Sequence, residues 1–184
     1  ETYTKPAPVI DTPLDDRDVG ICTFGDRGVI VTSFNNSAQM QRDYNKENEY
    51  VQKYLDTITE DDEEKYLGAT FRISYDNGIT FGKLMHSPVT SPHGPKELCD
   101  GTVLWVGNNF FNVEAGLEVV KLNPETGEAE YMGKITIDDE NIFINCGMLA
   151  FIPIVNECDI FSAEDKTIKI TQDEYEKNAH ENEL

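Results

Sequence analysis

A chain of 184 residues can fold as one domain with a proper core, or as two small ones. Its 39% hydrophobic and 10% aromatic content is that of a globular protein, and no stretch approaches the ~20 apolar residues needed to span a bilayer. A net charge of −20, from 35 acidic against 15 basic residues, argues against nucleic acid and membrane partners, while a small anionic ligand held by a few convergent arginines stays compatible.

Residues 1–14 read as an N-terminal extension. Its start, Glu1–Pro6, lacks a basic-then-apolar signal segment, so a signal was either removed or never present. The first strand signals follow Asp15-Asp16-Arg17-Asp18, and Phe24-Gly25-Asp26-Arg27-Gly28-Val29-Ile30-Val31 predicts a strand, a tight bend and a returning strand. Residues 40–65 are charged and strand-poor. Tyr44, Val51, Tyr54, Leu55 and Ile58 recur at helical spacing there, predicting one helical insertion within about residues 44–58.

An alternating strand, Ala69-Thr70-Phe71-Arg72-Ile73-Ser74, runs into Ser74-Tyr75-Asp76-Asn77-Gly78-Ile79-Thr80-Phe81. The chemistry of that octapeptide is a turn: Asp76 can accept from backbone N–H groups ahead of it, Gly78 can take positive φ, and Phe81 can anchor the return. Further on, Leu98-Cys99-Asp100-Gly101-Thr102-Val103-Leu104-Trp105-Val106 repeats the earlier bend. The strand Leu117–Lys121 then leads into Leu122-Asn123-Pro124-Glu125-Thr126-Gly127, a decayed copy of the octapeptide with Gly127 lying 49 residues after Gly78. Ser162-Ala163-Glu164-Asp165-Lys166-Thr167-Ile168 is a weak third copy. The polar tail, residues 171–184, has little to bury and reads as helical or frayed.

Four cysteines show no Cys-x-x-Cys spacing and only three histidines are present, which disfavours a zinc site; no metal or cofactor is expected. Cys22 and Cys99 sit in apolar contexts that predict buried free thiols. Cys146 and Cys158 could close a hairpin disulfide.

The octapeptide resembles the Asp box, or bacterial neuraminidase repeat, of sialidase-type β-propellers. Together with the repeated Asp-Gly bends and with Ser91-Pro92-His93-Gly94-Pro95 before the second bend, it makes residues 15–135 similar to the sialidase-like (exo-α-sialidase) superfamily. The resemblance implies an all-β fold: a six-bladed propeller of which residues 15–170 would supply three to four blade units of about 40–50 residues each. A chain holding only part of a propeller would expose strand edges, so a fragment, or a unit that closes with the remaining blades or by self-association, is expected. The implied function is a sialidase-like glycoside hydrolase, or a piece of one, acting on sialylated or related glycans. The alternative is a non-catalytic Asp-box propeller binding carbohydrate or protein, with Trp105 stacking on a sugar or, in the blander reading, packed in the core. The implied setting is extracellular or periplasmic, with a cytoplasmic one left open.

The same family holds its substrate carboxylate with three arginines and uses an Asp acid/base with a Tyr–Glu nucleophile pair. A planar guanidinium reads a carboxylate bidentately, which is why arginine suits the role. Arg17 is the one residue that maps onto the arginine triad, although Asp18 and Val19 stand where the family has Ile and Pro. Its ordinary alternative is a local ion pair with Asp15, Asp16 or Asp18. His93 takes the corresponding place in the next unit, as a sugar contact or proton shuttle, or simply as a residue fixed in a proline-flanked turn. Asp43 is the candidate acid/base, against the alternative of a solvated helix-start carboxylate. No motif ties Glu157 or Tyr175 to the Tyr–Glu pair.

Overall fold

A computed structural model of the protein describes residues 5–112, 116–137 and 167–170. The described chain is mostly sheet with three short helices. A first sheet runs in simple meander order through β1 (Asp15–Phe24), β2 (Gly28–Asn36), β3 (Ala69–Ser74) and β4 (Met85–Ser87), all antiparallel. A second comprises β5 (Val89–Thr90), β6 (Lys96–Glu97), β7 (Val103–Asn109), β8 (Leu117–Leu122), β9 (Ala129–Ile137) and β10 (Thr167–Ile170). β5 and β6 both pair with β7, so they act as one interrupted inner strand, and β8 and β9 follow as a meander. β10 pairs with β9 in parallel, the one parallel pairing among the described strands. Among the described residues neither sheet closes on itself.

Both sheets are built from the same parts in the same order. The first-to-second strand connection is a short bend in each: Phe24 pairs with Gly28 in one, and the Leu98 N–H donates to the Thr102 carbonyl at 2.7 Å in the other. The third-to-fourth connection is in each a turn built on an Asx side chain. In the first sheet the Asp76 carboxylate accepts from the Thr80 N–H at 2.8 Å and the Thr80 hydroxyl at 2.6 Å, while Ser74 Oγ donates to Asp76 at 2.7 Å. Asn77 (φ 61°) and Gly78 (φ 80°) make the reversal, a conformation that suits Asn and Gly. In the second sheet Asn123 Oδ1 accepts from the N–H of Glu125 at 2.9 Å, and Gly127 takes φ 77°. The two turns touch, because the Tyr75 hydroxyl donates to the Pro124 carbonyl.

The core is the seam between the sheets. Cys22, Ile30, Phe71 and Ile73 of the first pack against Val89, Val103, Trp105, Val120 and Leu122 of the second. Trp105 is 1% exposed, meets Phe71 edge to face at 5.8 Å, and donates its indole N–H to Ser91 Oγ at 3.0 Å. It is a core residue, which removes the sugar-stacking role from the alternative reading.

Two other expectations are corrected. The insertion is not one helix but three of seven residues each, α1 (Ala38–Tyr44), α2 (Glu49–Leu55) and α3 (Glu60–Tyr66). Their N-caps Ser37, Asn48 and Thr59 each accept from a backbone N–H of the first turn, so the chain restarts where a continuous helix was expected. Cys22 is a buried free thiol, but Cys99 is disulfide-bonded, and its residue sits exposed in the bend. Cys146 and Cys158, Glu157, Tyr175, the tail 171–184 and residues 162–166 of the weak third copy lie outside the described residues.

Candidate functional site

The Asx turns and the bends gather at one end of the sheets, since β3 and β8 finish beside the residues that open β2 and β7. Arg17 lies toward the other end of β1. It pairs with Phe34, which pairs with Ala69, so it shares the sheet face of Phe71 and Ile73 that looks toward the second sheet. Between Arg17 and Gly20 the register slips, with Asp18 at φ 34°, and this bulge returns Gly20 and Cys22 to the same face.

Gly20 is where the sheets touch at the inner strands. A Cβ placed there would fall 2.5 Å from the Gly94 nitrogen, 2.5 Å from the His93 carbonyl carbon and 2.4 Å from Thr32 Oγ1. Gly94 also meets Thr32, at 2.8 Å for a virtual Cβ, and holds φ 74°. Two glycines thus let β1 lie directly on the loop between β5 and β6. Counting back from the two bends puts Gly20 and Gly94 at the same register, each eight residues before the residue that closes the bend by pairing with Phe24 or Leu98 (Gly28 and Thr102). By that count His93 corresponds to Val19 rather than to Arg17. The loop that carries His93 is nevertheless laid against the strand that carries Arg17, and both side chains belong to exposed residues.

Arg17 already has a partner, its Nε lying 3.2 Å from Asp15 Oδ2, with the side chain 49% exposed. A surface pair of this kind contributes little, so the guanidinium can exchange Asp15 for a ligand carboxylate at small cost. Asp43 is not part of this arrangement. It lies on α1, accepts from Gln39 at 3.3 Å and pairs with Lys46 at 3.8 Å, and among the described residues none of its contacts reaches Arg17 or His93. It stands in the last turn of α1 rather than at a helix start.

Thr32, Gly20 and Gly94 went unnoticed in the sequence. Thr32 is 1% exposed and its hydroxyl has no hydrogen-bond partner among the described residues, directly under the two glycines. The readable signal was the matched spacing of the glycines from their bends. A cleft of about 900 Å³ lined in part by His86, Asp100, Lys121, Glu128 and Glu130 opens elsewhere, beside the bend of the second sheet. Hydrogen bonds from Thr102, the backbone N–H first, hold Asp100 below the ordinary carboxylate range there. No cluster of three or more His, Cys, Asp or Glu able to hold a metal occurs among the described residues. No helix among them is long and apolar enough to cross a membrane.

Comparison with family models, with curated proteins and with solved structures gave no match.

Proposed function

We propose that the chain is a sialidase-like, Asp-box propeller unit that recognises an anionic sugar, with glycoside hydrolysis arising only where further blades complete the site. The observation that carries this reading is the seam at Gly20 and Gly94. It sets the inner strand of one four-stranded meander against the inner strand of the next, with an arginine and a histidine exposed beside the contact. Adjacent blades of a propeller meet in that way, and a guanidinium near the meeting point is suited to a carboxylate. The turns built on Asp76 and Asn123 fall at equivalent places and at the other end, as an architectural role for the Asp box requires.

Binding without turnover is favoured for this chain by Asp43, whose place on α1 leaves Arg17 without an acid/base partner from the insertion. A disulfide at Cys99 supports an extracellular or periplasmic setting, because such bonds persist in oxidising compartments.

Titration with a sialylated trisaccharide, followed by isothermal calorimetry, tests the reading. Arg17→Ala should weaken binding by at least about tenfold, or roughly 1.4 kcal/mol, and Arg17→Lys should recover little, since the fork is lost. A fluorogenic sialoside should go unhydrolysed by this chain. Undiminished binding by Arg17→Ala sinks the site, and robust turnover sinks the restriction to binding.

A further inference from the structure

α1 ends on Tyr44 and the first turn of α2 carries Tyr50, and both rings stand in solvent, 70% and 83% exposed. They line one cleft of about 860 Å³ at the turn between the two helices. The backbone beneath them is well tied. The Asn45 N–H donates to the Gln41 carbonyl at 3.0 Å, and the Asn48 side chain caps the Val51 N–H at 3.2 Å. Gln52 reaches back from α2 to donate its amide to the carbonyls of Asn45 at 2.9 Å and Arg42 at 3.2 Å. Among the described residues no other aromatic ring meets Tyr44 or Tyr50, and neither hydroxyl makes a hydrogen bond. Glu47 and Glu49 line the same cleft, and neither carboxylate has an ion pair or hydrogen bond among the described residues. Lys46, the cation of the lining, lies 3.8 Å from Asp43 and is balanced by it.

We propose that this cleft binds an organic cation of the quaternary ammonium class, held on the tyrosine faces with Glu47 and Glu49 as its countercharge. Three features select that chemistry. The face of an aromatic ring is negative and apolar at once, which suits a charge sheathed in methyl groups. Two uncompensated carboxylates, on a chain of net charge −20, concentrate cations and repel anions. A metal ion would need several ligands converging at short range, and no group of three or more His, Cys, Asp or Glu does so among the described residues. A quaternary ammonium has no N–H to satisfy, so carboxylates at longer range suffice for it. The proposal is independent of the anionic-sugar reading, which rests on Arg17 of β1 and needs a ligand of opposite charge.

Choline titrated into the intact chain, followed through the backbone amide resonances, tests the proposal. Saturable shifts centred on the turn that carries Tyr44 and Tyr50 are expected at millimolar choline. The uncharged carbon isostere of choline, with a tert-butyl group in place of trimethylammonium, should bind about fivefold more weakly or worse. Tyr44→Ala and Tyr50→Ala should each weaken choline by about threefold to fivefold. Tyr50→Phe keeps the ring face and should bind as the parent does, which separates loss of the face from any disturbance of the fold. Replacing both Glu47→Gln and Glu49→Gln should weaken binding and flatten its dependence on salt. Absence of saturable shifts overturns the proposal. So does equal affinity for the uncharged isostere, or undiminished affinity in Tyr50→Ala.

Discussion

At Gly20 the absence of a side chain is what lets the two inner strands meet. A methyl group there would sit 2.4–2.5 Å from Thr32 Oγ1 and from the backbone of His93 and Gly94, and a backbone cannot swing aside as a flexible side chain can. Gly20→Ala should therefore lower stability by ~1–3 kcal/mol, the range of overpacked sites. It should also separate Arg17 from the loop of His93, so that ligand binding falls together with the melting temperature. An alanine variant with the parent's melting temperature would contradict the contact. Sequence reading singled out Arg17 and His93 as candidates because their chemistry is visible in one letter each. It missed the glycines between them because a close approach is a property of two strands, visible only after both bends are aligned. It also misjudged Cys99, whose apolar neighbour Leu98 suggested burial although the residue sits exposed in the bend.

The elements that were legible are those fixed by local hydrogen bonds. The Asp76 turn is one: its carboxylate is held from the usual 3.8 to about 2, first by the Thr80 hydroxyl, then by the Thr80 N–H and Ser74. A carboxyl depressed on folding contributes stability that is present above its unfolded value near 3.8 and lost as the pH falls through about 2. The melting-temperature gap between parent and Asp76→Ala should accordingly be full above pH 5, narrow through that window and close below it; a gap independent of pH would contradict the turn. The insertion was misread because Tyr44, Val51 and Ile58 keep helical spacing across the N-cap Asn48 and past the C-cap Asp56, and Tyr44 is in fact 70% exposed. What fastens it is long-range and leaves no periodic trace. Asn35, 1% exposed on β2, donates to the Tyr66 carbonyl at 2.8 Å and accepts from the Gly68 N–H at 2.9 Å. Asn35→Ala orphans both groups and should cost ~1–3 kcal/mol, read as a shifted denaturation midpoint. An unchanged midpoint would mean that the helices are held elsewhere.

On the scale of the molecule, the described sheets share one core, and Trp105 is its largest fully buried side chain. The sequence left two fates open for this residue, because a lone Trp in an apolar strand serves equally well as a core ring or as a sugar platform. Only the pairing of Trp105 with Val120, and the closure of the first sheet over both, decides between them. The two fates differ in what a substitution disturbs. A platform would lose ligand affinity and keep its stability. A core ring in contact with Phe71 should lose ~3–5 kcal/mol on Trp105→Ala, through lost transfer energy and the cavity left behind. Since that cavity would open in the seam, both sheets should feel it, and chemical unfolding followed by circular dichroism should move as a single transition to lower denaturant. Trp105→Phe should restore much of the stability but leave Ser91 Oγ without its indole donor, giving an intermediate midpoint. Two separate transitions, with only one displaced by Trp105→Ala, would mean that the sheets fold independently and that the seam is not the common core.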